Sequence, residues 1–160
     1  MALAVTLMAG LACGMLGMLA TAKLRKEETL LFAWIRFIKR FQTTLKTRRL
    51  PICEALQACL GEHPLIDIQL NRALRLMAEN PSLTIAEAYQ QICTETDSLY
   101  VTLFQGISEG TLEKRLAALE MSLLSFVAAY EKAKAAYEKN GRLFQNLGWL
   151  GGLALVLLLI

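Results

Sequence analysis

The residue types that most often carry out catalysis are sparse in this sequence. The 160-residue chain has one histidine, His63, which lies between Glu62 and Pro64 with no nucleophile or metal ligand suggested beside it. The four cysteines form no C-x-x-C pair and have no histidines at zinc-finger spacing. They are Cys13, Cys53, Cys59 and Cys93. We expect the last three to be reduced, small core residues.

Motifs for phosphate binding and nucleophilic catalysis are also missing from the sequence. It contains no phosphate-binding glycine loop and no G-x-S-x-G turn. We therefore predict no catalytic, cofactor-binding or metal-binding residues, no cofactor, and a protein that is not an enzyme. Disorder is excluded, because 55% of the residues are hydrophobic and only 19% are charged.

The hydrophobic residues are concentrated at the two ends of the chain. Met1–Ala22 contains 17 hydrophobic residues among 22, Leu143–Ile160 contains 13 among 18, and every charged side chain lies in Lys23–Arg142. A helix of 22 residues is about 33 Å long, enough to cross a hydrocarbon core of about 30 Å. We predict transmembrane helices over 1–22 and 143–160, and a helical domain over 23–142. The second segment is marginal in length, which bilayer thinning or an interfacial Trp149 could accommodate.

The alternative interpretation of 1–22 is a signal peptide. Ala20–Ala22 resembles a cleavage site, but a signal peptide has its basic residues before the apolar stretch. Here the basic residues lie on the inner side of both segments: Lys23, Arg25, Lys26, Lys139 and Arg142. The positive-inside rule then places the middle of the chain in the cytoplasm and both termini outside. Each segment also contains a G-x-x-x-G spacing suited to close helix packing: Gly10 with Gly14, and Gly148 with Gly152.

Charge is unevenly distributed along the middle of the chain. Residues 23–49 hold nine basic and two acidic residues, whereas 50–110 hold two basic and eight acidic. Lipid headgroups attract charge only within a Debye length of about 8–10 Å, and Arg36 lies about 15 Å along a helix from Lys26. We therefore expect the distal basic residues to pair with the acidic segment or with an acidic protein partner. They are Arg36, Lys39, Arg40, Lys46, Arg48 and Arg49. Nucleic acid is disfavoured, because the middle has no large net basic face.

The apolar spacing of the middle predicts helices and no strands. Pro51 suits the start of a short helix, Thr84–Glu87 matches a capping box, and Gly106 and Gly110 are expected to bracket a turn. The predicted helices are Glu27–Arg48, Ile52–Leu60, Leu65–Glu79, Thr84–Cys93, Asp97–Gln105 and Thr111–Asn140.

Two of these helices have long apolar seams. The first contains Leu31, Trp34, Ile38, Phe41 and Leu45. The last has a strict 4-3 repeat typical of helix–helix packing: Leu112, Leu116, Leu119, Leu123, Phe126, Tyr130, Ala133 and Tyr137. We predict an all-α fold, with a cytoplasmic bundle of about six helices. Its two long helices would pack antiparallel and continue from the two transmembrane helices.

Two motifs carry a family resemblance. The tail reads Phe144-Gln145-Asn146-Leu147-Gly148-Trp149-Leu150-Gly151-Gly152, and the short helix opens with Pro51-Ile52-Cys53-Glu54-Ala55-Leu56. In both, the chain resembles the stage III sporulation protein AB family. These small membrane proteins of endospore-forming bacteria are related to the F platform proteins of type II secretion and type IV pilus systems. The chain departs from the family at Thr44, where an acidic residue is frequent, and at Ile107–Thr111.

The resemblance implies a location and a role. It implies a protein of the mother-cell membrane facing the forespore, in a channel-like complex, whose cytoplasmic domain is a docking platform for a secretion-type ATPase. The implied partners are membrane lipid, that ATPase and other membrane subunits of the complex, with no nucleic acid and no small-molecule substrate. Glu54, in the second motif, joins the candidate partner-binding residues. The alternatives are a small membrane-anchored regulatory or scaffold protein without an ATPase partner, and a helical domain exported after signal cleavage.

Overall fold

A computed structural model describes residues 2–48, 50–92, 98–108 and 110–141, together with 143, 146 and 150; the side chains of 2–14, 16 and 17 are outside the description. These residues contain helices and no strand, which confirms the all-α class. The helices are α1 (Ala2–Arg48), α2 (Ile52–Ala58), α3 (Pro64–Glu79), α4 (Ile85–Ile92), α5 (Ser98–Ser108) and α6 (Leu112–Ala136). A π-helical turn, Tyr137–Gly141, follows α6.

The observed helix bounds correct two predictions. Gly106, predicted to open a turn, lies inside α5, which ends two residues later at Ser108. The last helix, predicted to run to Asn140, is α-helical only to Ala136 and then widens into the π-helical turn. Cys93 and Asp97, the predicted ends of two helices, lie outside the described residues.

The predicted membrane segments fall largely on residues with little description. In the part of the chain that the structure describes, none of the helices is both long and apolar enough to cross a membrane. Gly10 and Gly14 lie within α1, and their surroundings are outside the description. Of the 143–160 segment only Leu143, Asn146 and Leu150 are described, so Gly148 and Gly152 lie outside the description as well.

The chain divides into two compact units. The first comprises Met1–Thr29 with Tyr130–Ile160, and the second comprises Leu30–Ala129. Within the first unit, the Thr21 hydroxyl donates a hydrogen bond to the Gly141 carbonyl at 3.2 Å. Gly141 is buried, and a Cβ there would lie 3.3 Å from the Tyr137 ring and 3.5 Å from the Thr21 methyl. The shorter distance is tight, so the glycine leaves room for the Tyr137 ring of its own turn, whereas the distance to Thr21 is an ordinary van der Waals contact.

The core of the second unit is built on the apolar face of α1. The seam predicted there is confirmed, because all five of its members are buried: Leu31, Trp34, Ile38, Phe41 and Leu45. Trp34 is only 1% exposed. Its ring centroid lies 5.3 Å from that of Tyr100, 6.1 Å from those of Phe104 and Phe126, and 6.4 Å from that of Tyr89. One side chain of α1 thereby contacts α4, α5 and α6.

The seam predicted on α6 is only partly buried. Leu119 and Phe126 are buried, whereas Leu112 is 38% exposed. Ser122, which is not a member of the seam, is the buried residue between Leu119 and Phe126. Leu112 is the first residue of α6, and the remaining members of the seam are half-buried. Only two of the eight predicted members are therefore buried.

The capping box predicted at the start of α4 is confirmed. The Thr84 backbone N–H donates to Glu87 Oε2 at 2.8 Å, and the Glu87 N–H donates to Thr84 Oγ1 at 3.3 Å. The hydrogen bond from the Thr84 backbone, with a second from its hydroxyl, lowers the pKa of the Glu87 carboxyl. These bonds pair two backbone N–H groups that a helix start otherwise leaves unsatisfied.

Helices α5 and α6 approach closely at Gly106. A Cβ added at this position would lie 2.6 Å from the Cβ of Ala118 on α6. That separation is well inside van der Waals contact, so the short distance between the two helices requires a residue without a side chain at position 106.

We predict that Gly106→Ala forces α5 and α6 apart, a packing cost of about 1–3 kcal/mol. Alanine also favours a helix by about 1 kcal/mol over glycine, so the stability change of the single variant is a poor measure of the packing cost. The measurement is a double-mutant cycle with Ala118→Gly, using denaturant unfolding followed by circular dichroism.

Removing the Ala118 methyl relieves the close contact only in the Gly106→Ala chain. Ala118→Gly should therefore cost at least about 1 kcal/mol less in that chain than in the unmodified chain. Equal effects of Ala118→Gly in both backgrounds would show that these two positions do not set the helix spacing.

Candidate docking surface on the first long helix

The solvent-facing side of α1 in the second unit carries basic side chains. Arg36, Lys39 and Arg40 are neighbours because they include pairs three and four residues apart, and Lys46 follows Lys39 by about two helical turns, which places all four opposite the buried seam. All of them are exposed. We call this set the cationic stripe: Arg36, Lys39, Arg40 and Lys46. Of the other predicted partner-binding residues, Arg48 and Glu54 are exposed but lie apart from the stripe, and Arg49 is outside the described residues.

Threonine hydroxyls beside the stripe are occupied by the helix itself. The Oγ1 atoms of Thr43 and Thr47 donate to carbonyls one turn earlier, at 2.9 and 2.8 Å. Thr44 does the same to the Arg40 carbonyl at 2.9 Å. Because these protons already have acceptors, the charged groups are the principal donors that this face offers to an external ligand.

Glu62 contacts two members of the cationic stripe. Its Oε2 lies 3.0 Å from Arg36 Nη2, and its Oε1 lies 3.3 Å from Arg40 Nη1. The Glu62 side chain is only 9% exposed, whereas those of Arg36 and Arg40 are 60% and 50% exposed. The expected pairing of distal basic residues with the acidic segment is therefore confirmed for these two arginines.

The loop between α2 and α3 holds Glu62 in place. Gly61 has φ of 103°, a left-handed conformation that favours glycine, and its N–H donates to Asp67 Oδ1 at 2.9 Å. His63 accepts a hydrogen bond from the Leu65 N–H on its Nδ1 at 3.3 Å and so caps α3. The sequence had suggested no partner for His63, so this capping contact corrects that interpretation.

The rest of the stripe keeps its charge. Among the described side chains, no carboxylate lies within 4.0 Å of Lys39 or Lys46. One carboxylate is thus shared by two of four cations, and the stripe retains a net positive charge on an exposed helix face.

Behind the stripe, α1 contacts Cys59. The Thr44 hydroxyl and the Cys59 Sγ lie 3.6 Å apart. Burial raises the pKa of the Cys59 thiol, while the Thr44 hydrogen bond and the charge of Arg40 oppose that shift. The prediction of a core cysteine is confirmed for Cys59, which is fully buried; Cys53 is half-buried, and Cys93 is outside the description.

A groove of about 710 Å³ lies between α5 and α6. Its lining is mostly hydroxyl, amide and small apolar side chains, and Lys114 is its single charged member. It brings together no acid–base pair. Among the residues that the structure describes, no group of three or more histidine, cysteine, aspartate or glutamate side chains is placed to hold a metal ion.

The comparison with protein families covers nearly the whole chain. The family model described as stage III sporulation protein AB matches residues 2–160. The chain belongs to the stage III sporulation protein AB family. No curated protein and no solved structure shows a significant match to it. The protein is therefore a sporulation-related helical protein, and the resemblance read from its tail and from Pro51–Leu56 is confirmed.

We predict that Cys59 reacts with maleimide about tenfold or more slowly than Cys53 in the folded protein. Cys59 is buried and its raised pKa leaves less thiolate at neutral pH, whereas Cys53 is half-buried. The measurement is time-resolved alkylation followed by mass spectrometry, with cleavage after Glu54 separating the two cysteines. Both should react at similar rates in denaturant. Equal rates in the folded chain would contradict the packing of Cys59 against Thr44.

Proposed function

We propose that this protein is a non-enzymatic membrane platform subunit of a sporulation-specific, secretion-like channel complex, and that it docks a cytoplasmic ATPase. Family membership supports the link to sporulation. The observation that carries the docking role is the cationic stripe, whose charge only Glu62 partly neutralises among the described side chains. A subunit that recruits a partner needs an exposed, rigid and charged surface of this kind more than it needs a catalytic pocket.

The membrane part of the proposal rests on the sequence. We propose that 1–22 and 143–160 anchor the protein, because each is apolar, free of charge and flanked by basic residues on the side of the middle domain. Residues 23–142 would then face the mother-cell cytoplasm, where an ATPase is available. The glycine pairs in both anchors would allow close packing with other membrane subunits of the complex.

The docking role predicts that the full chain retains a secretion-type ATPase. We expect that ATPase, encoded in the same operon, to co-purify with the chain from sporulating cells. A Lys39→Glu, Lys46→Glu double variant should lose most of it, because both lysines are exposed and no described carboxylate pairs with them. Arg72→Glu with Arg75→Glu, which reverses two exposed charges on α3, is the matched control and should retain the ATPase.

Two outcomes would count against the docking role. If the unmodified chain retains no ATPase, and deletion of its gene leaves spore formation intact, the platform proposal fails. If deletion blocks sporulation while no ATPase is retained, a membrane-anchored scaffold without an ATPase partner becomes the better description.

The proposed topology predicts which cysteines a membrane-impermeant maleimide can reach. In single-cysteine variants of the full chain, Cys93 should be labelled only after the cytoplasm is opened. Cys13 should stay protected on both sides, because it would lie in the bilayer. Labelling of Cys93 in intact cells would contradict the orientation. A mature protein that begins at Lys23 would instead support export after signal cleavage.

A further inference from the structure

The contact between Glu62 and the cationic stripe bears on ligand binding as well as on the position of the α2–α3 loop. We propose that the stripe binds an acidic segment of a partner protein, and that Glu62 lowers this affinity by occupying Arg36 and Arg40. The inference rests on the proposed function for the existence of a partner. It adds the surface, the chemistry that fits it, and an internal competitor for that surface.

The first step is charge complementarity. Arg36, Lys39, Arg40 and Lys46 lie within eleven residues of α1, a rise of about 15 Å or nearly three helical turns from first to last. Arg36 and Arg40 are one turn apart and Lys39 and Lys46 are two turns apart, so carboxylates spaced by one turn on an acidic helix would meet both pairs. Because the neighbouring threonine hydroxyls donate to their own helix, recognition falls to these four cations.

The second step is the apolar end of the same face. Phe32 lies one turn before Arg36 and is 48% exposed, so it adds a large apolar side chain to the end of the same face. An acidic segment with an apolar residue one turn beyond its carboxylates would therefore find both a charged and an apolar contact. This combination favours a protein segment over inorganic phosphate, which offers charge alone.

The third step concerns Glu62. Each arginine uses one terminal nitrogen on Glu62, so both keep further N–H donors and most of their surface exposed. The Glu62 carboxylate itself is largely buried beneath them. A partner's carboxylates would approach the same guanidinium groups from the solvent side, and the negative charge of Glu62 would repel them. Removing that charge should strengthen binding, although it also removes a structural contact.

A lipid surface is the other anionic ligand to consider. If 1–22 spans the membrane, Arg36 begins about 15 Å along the helix from Lys26, beyond the screening length of about 8–10 Å. The stripe is then out of reach of headgroup attraction, which leaves a protein as the ligand. Vesicle binding is accordingly an arm of the test.

The experiment measures binding of a fluorescent peptide of about 15 residues, just over four helical turns, to the full chain in neutral-lipid nanodiscs. The peptide is helical, with glutamates one turn apart and one terminal leucine, and its scrambled sequence is the control for net charge. Lys39→Glu with Lys46→Glu should weaken binding about tenfold or more, because two attractive charges become repulsive. Glu62→Gln should strengthen binding about two- to fivefold and steepen its dependence on salt. Glu79→Gln, which removes an exposed carboxylate from α3, should change binding less than Glu62→Gln.

Several results would overturn the inference. They are equal binding of the scrambled peptide, insensitivity to the double lysine reversal, and weaker binding by a Glu62→Gln chain whose circular dichroism and melting temperature match the unmodified protein. Stripe-dependent binding to phosphatidylglycerol vesicles without peptide binding would assign the stripe to lipid.

The outcome also separates this inference from the proposed function. An ATPase retained in cells despite the double lysine reversal would keep the platform role and reject the stripe as its docking surface. If the peptide binds in a stripe-dependent manner but no ATPase is retained in cells, the stripe remains a binding surface for acidic segments and the ATPase-docking role is rejected.

Discussion

The burial of Trp34 is the interaction on which the second unit depends. Its indole ring lies within 5.3–6.4 Å of aromatic rings from α4, α5 and α6. Such ring pairs each contribute about 0.5–1.5 kcal/mol beyond the area that they bury. Because the contacts converge on one side chain of α1, they also fix the rotation of that helix about its own axis. Because the helix is rotationally fixed at Trp34, the directions of its other side chains in this unit are fixed as well.

The cationic stripe follows from that rotation. Once the seam that includes Trp34, Ile38 and Phe41 faces the core, the basic residues between its members must face solvent. The α2–α3 loop then brings Glu62 against two of them, so the same packing exposes the charge and partly neutralises it. An arrangement of this kind gives a rigid surface whose charge can be altered without disturbing the core.

The sporulation family to which the chain belongs gives this surface a context. The described residues contain a packed aromatic core, a groove without an acid–base pair and an exposed charged helix face. The Thr44 hydroxyl on α1 lies 3.6 Å from the buried Cys59 sulfur. A carboxylate at residue 44 would need desolvation beside a thiol, so in this chain the position serves packing.

Local patterns in the sequence determined the helices, the buried face of α1 and the capping box at Thr84 and Glu87. Each depends on residues within one or two turns of one another, where helical periodicity and backbone hydrogen bonding decide the outcome. The same reasoning failed at Gly106, because its role is set by Ala118 on another helix, and it placed the whole α6 seam in the core although only Leu119 and Phe126 of that seam are buried. It predicted that distal basic residues would pair with the acidic segment, but nothing in the spacing singles out Glu62 among eight acidic residues of 50–110. Only the tertiary structure made that choice, because a contact between residues more than 20 positions apart depends on how a loop turns back onto a helix.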